Sequence, residues 1–252
     1  MKIMSFKVLC WGREEHSFES RVPLVVKRIR EQMPDILGTQ ESHIEWMDNI
    51  CAGLPEYTYV GAGRDDGKDK GEFSPVFYRK DLYESEENGT FWLSETPEVP
   101  SKSWESACTR ICTWTILRNK ETGARFAAVN THLDHVSEEA RVKGIQLVVD
   151  KINTFTDLPV FCTGDFNTYE DSEAYRIMTS GVMADVKYLA ADSDNGNTFT
   201  GFDPEATKND SPIDFIFVKK DCVKVNSYKI LRDDIDGQMP SDHYAIISEV
   251  EI

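Results

Sequence analysis

Apolar residues recur along this chain with two distinct spacings. Residues 2–10, Lys-Ile-Met-Ser-Phe-Lys-Val-Leu-Cys, carry apolar side chains at odd and even positions alike, the pattern of a strand covered on both faces. Between 21 and 33 the spacing changes. Val22, Val25, Val26, Ile29 and Met33 fall at helical intervals, and Pro23 is tolerated in a first turn. Ile36-Leu37-Gly38 predicts a short strand ending at Gln40-Glu41. A second amphipathic helix is predicted over 138–153, with Ile145, Val148, Val149 and Ile152 on one stripe. Further β-rich runs occupy 73–79, 90–93, 110–117, 125–131, 159–163, 213–218, 223–230 and 244–251. Strands dominate and a few long helices interrupt them. That mixture fits an α/β four-layer sandwich, two packed mixed β-sheets flanked by helices, better than a doubly wound parallel sheet. No repeat or low-complexity linker divides the chain, so residues 1–252 read as a single domain. Gly63–Glu72, rich in Gly, Asp and Lys, reads as a solvated, mobile loop.

Composition narrows the function classes. Apolar residues make up 40% of the chain, enough for a sizeable core. No apolar run approaches the roughly 20 residues of a membrane span, and the first residues lack the apolar stretch of a signal peptide. The net charge of −16 repels a nucleic-acid duplex, whose non-specific binding draws on Lys and Arg, so tight duplex binding is not expected. The six cysteines form no Cys-x-x-Cys pair, which argues against structural zinc. Cys108 and Cys112 lie in a strand-like run, where four residues span about 13 Å, too far for a disulfide. Cys10 and Cys162 read as core thiols, and a reducing, cytoplasmic setting fits best.

Candidate chemistry falls just after apolar strand-like runs, where scaffolds present reactive side chains. The clusters are Gly38-Thr39-Gln40-Glu41, Asn130-Thr131-His132-Leu133-Asp134-His135, Thr163-Gly164-Asp165-Phe166-Asn167, Ser211-Pro212-Ile213-Asp214 and Pro240-Ser241-Asp242-His243. Each alone is weak. Asp165-Phe166-Asn167 and Ser241-Asp242 can each close a turn, and a lone His132 is more often a hydrogen-bonded core histidine. Asp214 is different, because a carboxylate between Ile213 and Phe215-Ile216-Phe217 needs a partner.

Taken in order, Glu41, Asn130-Thr131-His132, Gly164-Asp165-Phe166-Asn167, Ile213-Asp214-Phe215-Ile216-Phe217 and Ser241-Asp242-His243 resemble the signatures of the endonuclease/exonuclease/phosphatase superfamily along essentially the whole chain. The resemblance implies a two-sheet sandwich with helices outside and a site where strands of both sheets end. It implies hydrolysis of a phosphate ester with Mg²⁺ or Mn²⁺, since oxygen ligands suit a hard cation. By the same likeness Glu41 is a metal ligand and Asp242 lies near the same metal. Asp165 matches the residue that orients or deprotonates the attacking water, and Asn167 an amide that positions phosphate and nucleophile. His132 and His243 match two histidines that contact phosphate oxygens, and Asp214 the carboxylate that hydrogen-bonds His243.

The Asn-Thr-His-Leu stretch and Thr198-Phe199-Thr200-Gly201-Phe202 are most similar to the carbon-catabolite-repressor and nocturnin-like deadenylase branch and its uncharacterised bacterial relatives. The Trp-Cys-Asp-Arg slot of inositol-polyphosphate phosphatases reads Pro212-Ile213-Asp214-Phe215, which disfavours that branch. Three functions stay open: a 3′-to-5′ exonuclease or related phosphodiesterase on single-stranded nucleic acid, a phosphatase on a nucleotide or other small soluble ester, and a catalytically weakened binding protein. Arg110 reads as a phosphate contact or a solvent-facing edge arginine, and Asp134 and His135 are similarly divided. Phe199 and Phe202 read as base-stacking or core aromatics.

One position departs from the family pattern. Members resembling this chain carry asparagine on the first strand, where this sequence has Phe6-Lys7-Val8. A lysine among Met4, Phe6, Val8 and Leu9 needs a carboxylate partner, and Glu41 and Asp242 are the candidates. Such a lysine would weaken metal binding; the alternative is that it snorkels to the strand end.

Overall fold

The computed structural model describes residues 1–12, 14–205 and 210–252. The first third runs β1 (Lys2–Lys7), α1 (Phe18–Gln32), β2 (Ile36–Gln40), α2 (Ile44–Gly53), β3 (Tyr57–Val60) and β4 (Val76–Arg79). Next come β5 (Tyr83–Trp92), β6 (Ile111–Asn119), β7 (Arg125–His132), α3 (Glu138–Asn153) and β8 (Val160–Asp165). The chain then forms α4 (Glu173–Ser180), β9 (Met183–Asp185), α5 (Val186–Leu189), β10 (Asp192–Ser193), β11 (Asp214–Lys219), β12 (Lys224–Leu231) and β13 (Ala245–Glu251).

The strands form two mixed sheets, ordered β10-β12-β13-β1-β2-β4-β3 and β5-β6-β7-β8-β11-β9. Three apolar clusters separate four layers. Met4, Phe6, Leu37 and Phe77 pack against Val25 and Ile29 of α1 and Trp46, Met47 and Ile50 of α2. Cys112, Ala127, Val129, Val160 and Cys162 pack against Ile145, Val148 and Ile152 of α3 and Met178 of α4. Between the sheets lie Ile3, Ile36, Ile246, Phe126, Ala128, Phe161 and Ile216. Both faces of β1 are therefore covered, which is why its sequence lacks a polar face.

The alternation of a strand carries the inter-sheet face into polar positions at one end. Ile3 is followed on that face by Ser5 and Lys7, Ala128 by Asn130 and His132, and Phe161 by Thr163 and Asp165. Asn130 fastens the sheets together. Its amide nitrogen donates to the Thr39 and Pro75 carbonyls at 2.7 and 2.8 Å, while its oxygen accepts from Gln40 and Thr163 at 2.8 and 3.0 Å. Gly38 permits this approach, because a Cβ there would lie 2.0 Å from Thr163 Oγ1 and 2.6 Å from Asn130 Oδ1.

Several sequence expectations shift. The first strand ends at Lys7 rather than Cys10, where Val8 N bonds Gln40 O and Leu9 turns into the left-handed region at φ 58°. α1 begins at Phe18, earlier than position 21, because Ser17 caps it by accepting from Ser20 N. Pro23 therefore lies inside the helix, beyond its first turn. Gly63–Glu72 is a loop with Asp65 and Lys68–Lys70 exposed, but it is not open. It folds back through Gly63 N to Lys68 O, Arg64 N to Glu72 O and Asp65 N to Lys70 O. Cys10 is half-buried rather than a core thiol, and Cys108 precedes β6, so strand spacing does not govern its reach to Cys112. All six cysteines are free thiols. Among the described residues no helix is long and apolar enough to cross a membrane.

Candidate active site

The polar ends of both sheets converge on one edge. Parallel pairing sets Lys7 beside Gln40 in the first sheet and His132 beside Asp165 in the second, while antiparallel pairing sets Asp214 opposite Asp165. Glu41 follows β2 with φ 55°, a left-handed turn that redirects the chain directly after the strand.

Lys7 is buried at the tip of β1. Its ammonium donates to Asp242 Oδ2 and Oδ1 at 2.9 and 3.2 Å and pairs with Glu41 Oε1 at 3.1 Å. It does not snorkel to solvent. Burial alone would lower the lysine pKa, but Asp242, Glu41 and Asp165 outweigh it and hold the group as an ammonium. Asp242 is correspondingly depressed: burial would raise it, and Lys7 and His243 pull it down. Glu41 Oε2 accepts from Cys10 N at 3.2 Å, and Ser241 Oγ donates to the Lys7 carbonyl at 2.5 Å.

In the second sheet Asp214 Oδ2 lies 2.7 Å from His243 Nδ1, which therefore carries the donated proton. Burial would make His243 less basic, yet the Asp214 carboxylate raises its pKa overall. The Asp165 carboxyl is fully enclosed and is shifted upward by burial and then by Asp214, so it holds a proton to higher pH than an ordinary aspartate. Its Oδ1 accepts from Asn167 N at 2.9 Å. The Asn167 amide nitrogen donates to Leu133 O at 3.0 Å, which fixes the amide orientation, and its second N–H meets His132 Nε2 at 3.0 Å. That nitrogen is then an acceptor and His132 is neutral, in accord with a pKa pushed down by burial, Arg110 and Lys7.

Lys7, Glu41, His132, Asp165, Asn167 and His243 share a cavity of about 350 Å³ with Arg64, Glu72, Arg110, His135 and Phe199, while Asp214 and Asp242 do not line it. Arg110 Nη2 lies 3.1 Å from His135 Nδ1, and its Nε is 3.7 Å from Asp134. Arg110 is thus an enclosed arginine, not a solvent-facing edge residue. Asp134, read from sequence as a substrate contact, faces the other way. It accepts from the backbone N–H groups of Val136, Ser137 and Cys108, does not line the cavity, and braces Arg110 from behind. Phe199 is 40% exposed, its ring edge-on to His243 at 5.1 Å. Phe202 is placed elsewhere: it stacks on His16 at 3.8 Å and lines a separate cavity. Arg64 and Glu72, paired at 2.6 Å, are the cavity residues that sequence reasoning missed. Their only sequence signal is opposite charge within a charged loop, which any solvated loop shares.

A two-sheet sandwich with a histidine–aspartate edge of this kind defines a phosphate-ester hydrolase. Residues 17–243 match the model of the Endonuclease/Exonuclease/phosphatase family, and the chain belongs to that family. Among solved structures, the mannosyl-6-phosphatase of Bacteroides thetaiotaomicron is 36% identical, with 100% of each chain covered and a TM-score of 0.93. An endonuclease/exonuclease/phosphatase from Bacteroides vulgatus is 37% identical over 100% of this chain and 98% of its own, with a TM-score of 0.94. The human nocturnin catalytic domain, 20% identical, shares the fold with a TM-score of 0.78 over 100% of this chain and 93% of its own. An uncharacterized protein of Acanthamoeba polyphaga mimivirus is 28% identical over 61% of this chain, and the match spans 60% of that curated relative's length.

The family is generally dependent on a divalent metal. Glu41 and Asp242 offer oxygen donors of the right kind, but the Lys7 ammonium lies 3.1 Å from one and 2.9 Å from the other. With Lys7 there, the pair does not fit a divalent ion. Asp165, Asp214 and His243 place ligand atoms within 4.8 Å of one another, as do Cys10, His43 and Glu72. The first group is a possible acidic–histidine metal site, since the Asp214 bond to Nδ1 leaves His243 Nε2 as a donor; in the second, burial, Glu41 and Glu72 push the Cys10 thiol up to about 12, which keeps it protonated.

Proposed function

We propose that the chain is a phosphatase that hydrolyses a small soluble phosphomonoester of the sugar-phosphate or nucleotide class. One observation carries this reading. Among the described residues only three buried side-chain polar atoms lack a hydrogen bond, and two are the Nε atoms of Arg64 and Arg110, cavity-lining arginines whose nearest carboxylates to Nε, Asp65 and Asp134, stand beyond hydrogen-bond reach at 3.9 and 3.7 Å. A buried guanidinium N–H without an acceptor costs stability, and a phosphate oxygen offsets that cost. At about 350 Å³ the cavity falls at the low end of small-ligand sites and has room for one phosphorylated unit. The 36% identity to a mannosyl-6-phosphatase supports the same class.

The chemistry needs an acceptor for the water proton and donors for the phosphoryl oxygens. Asp165, enclosed beside both histidines, accepts the proton as the water oxygen bonds to phosphorus. The ester P–O bond breaks on the face opposite the incoming water, the departing alkoxide takes a proton from solvent, and Asp165 returns its own to solvent. His243 Nε2 and the two arginines stabilise charge on the non-bridging oxygens. Exposed Phe199 favours the second reading, a 3′-to-5′ exonuclease stacking a terminal base. Turnover of hexose 6-phosphates, AMP, bis(4-nitrophenyl) phosphate and single-stranded oligoadenylate separates the two. Monoesters should be cleaved at least a hundredfold faster than diesters. Faster shortening of oligoadenylate would establish the exonuclease instead, and binding without turnover of any ester would establish a binding protein.

A further inference from the structure

We infer that the Lys7 ammonium is the resident cation of the Glu41–Asp242 position and contacts the substrate phosphate itself, so that no divalent ion is needed between those two carboxylates. Strand alternation places Lys7 there. Ile3 and Ser5 precede it on the inter-sheet face, so the side chain points into the seam between the sheets rather than toward α1 and α2. Both ends of this placement are fixed. Ser241 donates to the Lys7 carbonyl, while Arg21, itself fully buried, donates to the carbonyls of Val8, Leu9 and His16. The tip of β1 cannot peel away to release the lysine without breaking these bonds.

The ammonium meets both carboxylates at 2.9–3.2 Å and also lines the cavity. Three N–H groups radiate from an ammonium, enough to serve two carboxylates and one phosphate oxygen. A divalent ion bound to the same oxygens, at about 2.0–2.4 Å from each, would stand within about 4 Å of Nζ and be repelled. The family's first-strand asparagine carries no charge, so the exchange for lysine brings one full positive charge into the position where the ion's charge is otherwise required. Lys7 is then a catalytic residue, holding one phosphoryl oxygen while Asp165 takes the water proton.

The phosphate contact rests on the phosphatase reading; the cation exchange does not, and a metal titration tests it separately. Free Mn²⁺ can be followed by its electron paramagnetic resonance signal as protein is added. Wild-type and Glu41→Gln protein should take up Mn²⁺ equally weakly. Lys7→Asn should bind it at least a hundredfold more tightly, and adding Glu41→Gln to that variant should remove the gain. Tight uptake by wild-type protein that Glu41→Gln abolishes would overturn the inference, and so would a folded Lys7→Asn variant with no gain. If Lys7→Asn fails to fold, the wild-type and Glu41→Gln comparison still decides. In the activity arm, EDTA should leave wild-type turnover of 4-nitrophenyl phosphate within twofold while abolishing that of Lys7→Asn. Loss of wild-type turnover that Mg²⁺ restores would overturn it too. If wild-type protein turns over no ester, the phosphatase reading falls while the Mn²⁺ titration still decides the role of Lys7.

Discussion

Asp165 sits with its carboxyl enclosed 3.4 Å from the His132 ring and 3.9 Å from that of His243. Its raised pKa has a direct kinetic consequence. The residue must lose its own proton before it can take one from water, so kcat/KM should climb with pH into the neutral range. A profile flat from about pH 5 upward would show that no such proton is lost. The Asp214–His243 pair yields a second expectation. His243→Ala and Asp214→Asn should each lower kcat by about two orders of magnitude, the scale of lost general acid–base or electrostatic assistance. Because Asp214 acts through the ring it holds at 2.7 Å, the double variant should be little worse than His243→Ala alone. Multiplicative losses in steady-state kinetics would separate the two residues. At this scale sequence was most informative where a charge sat in hostile surroundings. Asp214 between Ile213 and Phe215, and Lys7 between Phe6 and Val8, each demanded a partner, and the structure supplies one. Arg64 and Glu72 were illegible because nothing local distinguishes a charge that folds into a cavity from one that faces water.

At the scale of elements, periodicity located most strands and the two long helices, since burial on a single stripe or on both faces leaves a strong pattern. The elements it missed are short: α2, β3, α4, β9, α5 and β10 span 10, 4, 8, 3, 4 and 2 residues, and of the ten-residue β5 only the last three were located. In so few positions a stripe is hard to tell from chance. Two predictions belong here. Gly38→Ala would drive a Cβ into the Asn130–Thr163 fastening, and neither neighbour can give without losing a buried hydrogen bond. Chemical denaturation should show a loss of about 2–4 kcal/mol; a loss under about 0.5 kcal/mol would mean that the sheets accommodate the methyl. Asp185, which caps α5 and accepts from Tyr175 OH at 3.1 Å, contributes to the dependence of stability on pH. Burial pushes its pKa up to about 7, against roughly 3.9 unfolded. The folded state thus holds this proton longer than the unfolded chain. The stabilisation is complete below about pH 4, is lost as pH rises through 7, and stays lost above, by about 4 kcal/mol in all. Asp185→Asn should remove that slope, so the difference in unfolding free energy between variant and wild type should grow from pH 4 to 8. A constant difference would show that Asp185 titrates normally.

At the scale of the whole molecule, charge is distributed unevenly. The chain carries −16 overall, yet in the cavity Lys7, Arg64 and Arg110 match the three acidic residues Glu41, Glu72 and Asp165 in number, so the excess of acid lies elsewhere. A small anion can reach those cations, whereas a duplex must also approach the acidic exterior. Fluorescence anisotropy at physiological salt should detect no tight binding to duplex DNA; a nanomolar dissociation constant would contradict this. Fold class was legible at this level because alternating strand runs with few helices leave few layer arrangements. The ownership of the site by two sheets was legible only through the family resemblance, since it depends on register between strands far apart in the chain.

That division of ownership reaches into the behaviour of the protein under stress. Lys7 stands on the first sheet, with Glu41 and Asp242 beside it; His132, Asp165 and Asp214 stand on the second, and the His243–Asp214 contact joins them. Neither half holds the full set of groups in the proposed mechanism, so catalysis by that set is a property of the joint and serves as a gauge of its alignment. Any slip of one sheet against the other, even with every strand intact, separates the proton acceptor from the cation. In rising urea, turnover therefore fails no later than circular dichroism reports loss of the strands, and the gap between the two transitions measures how far the joint can loosen before the sheets themselves come apart.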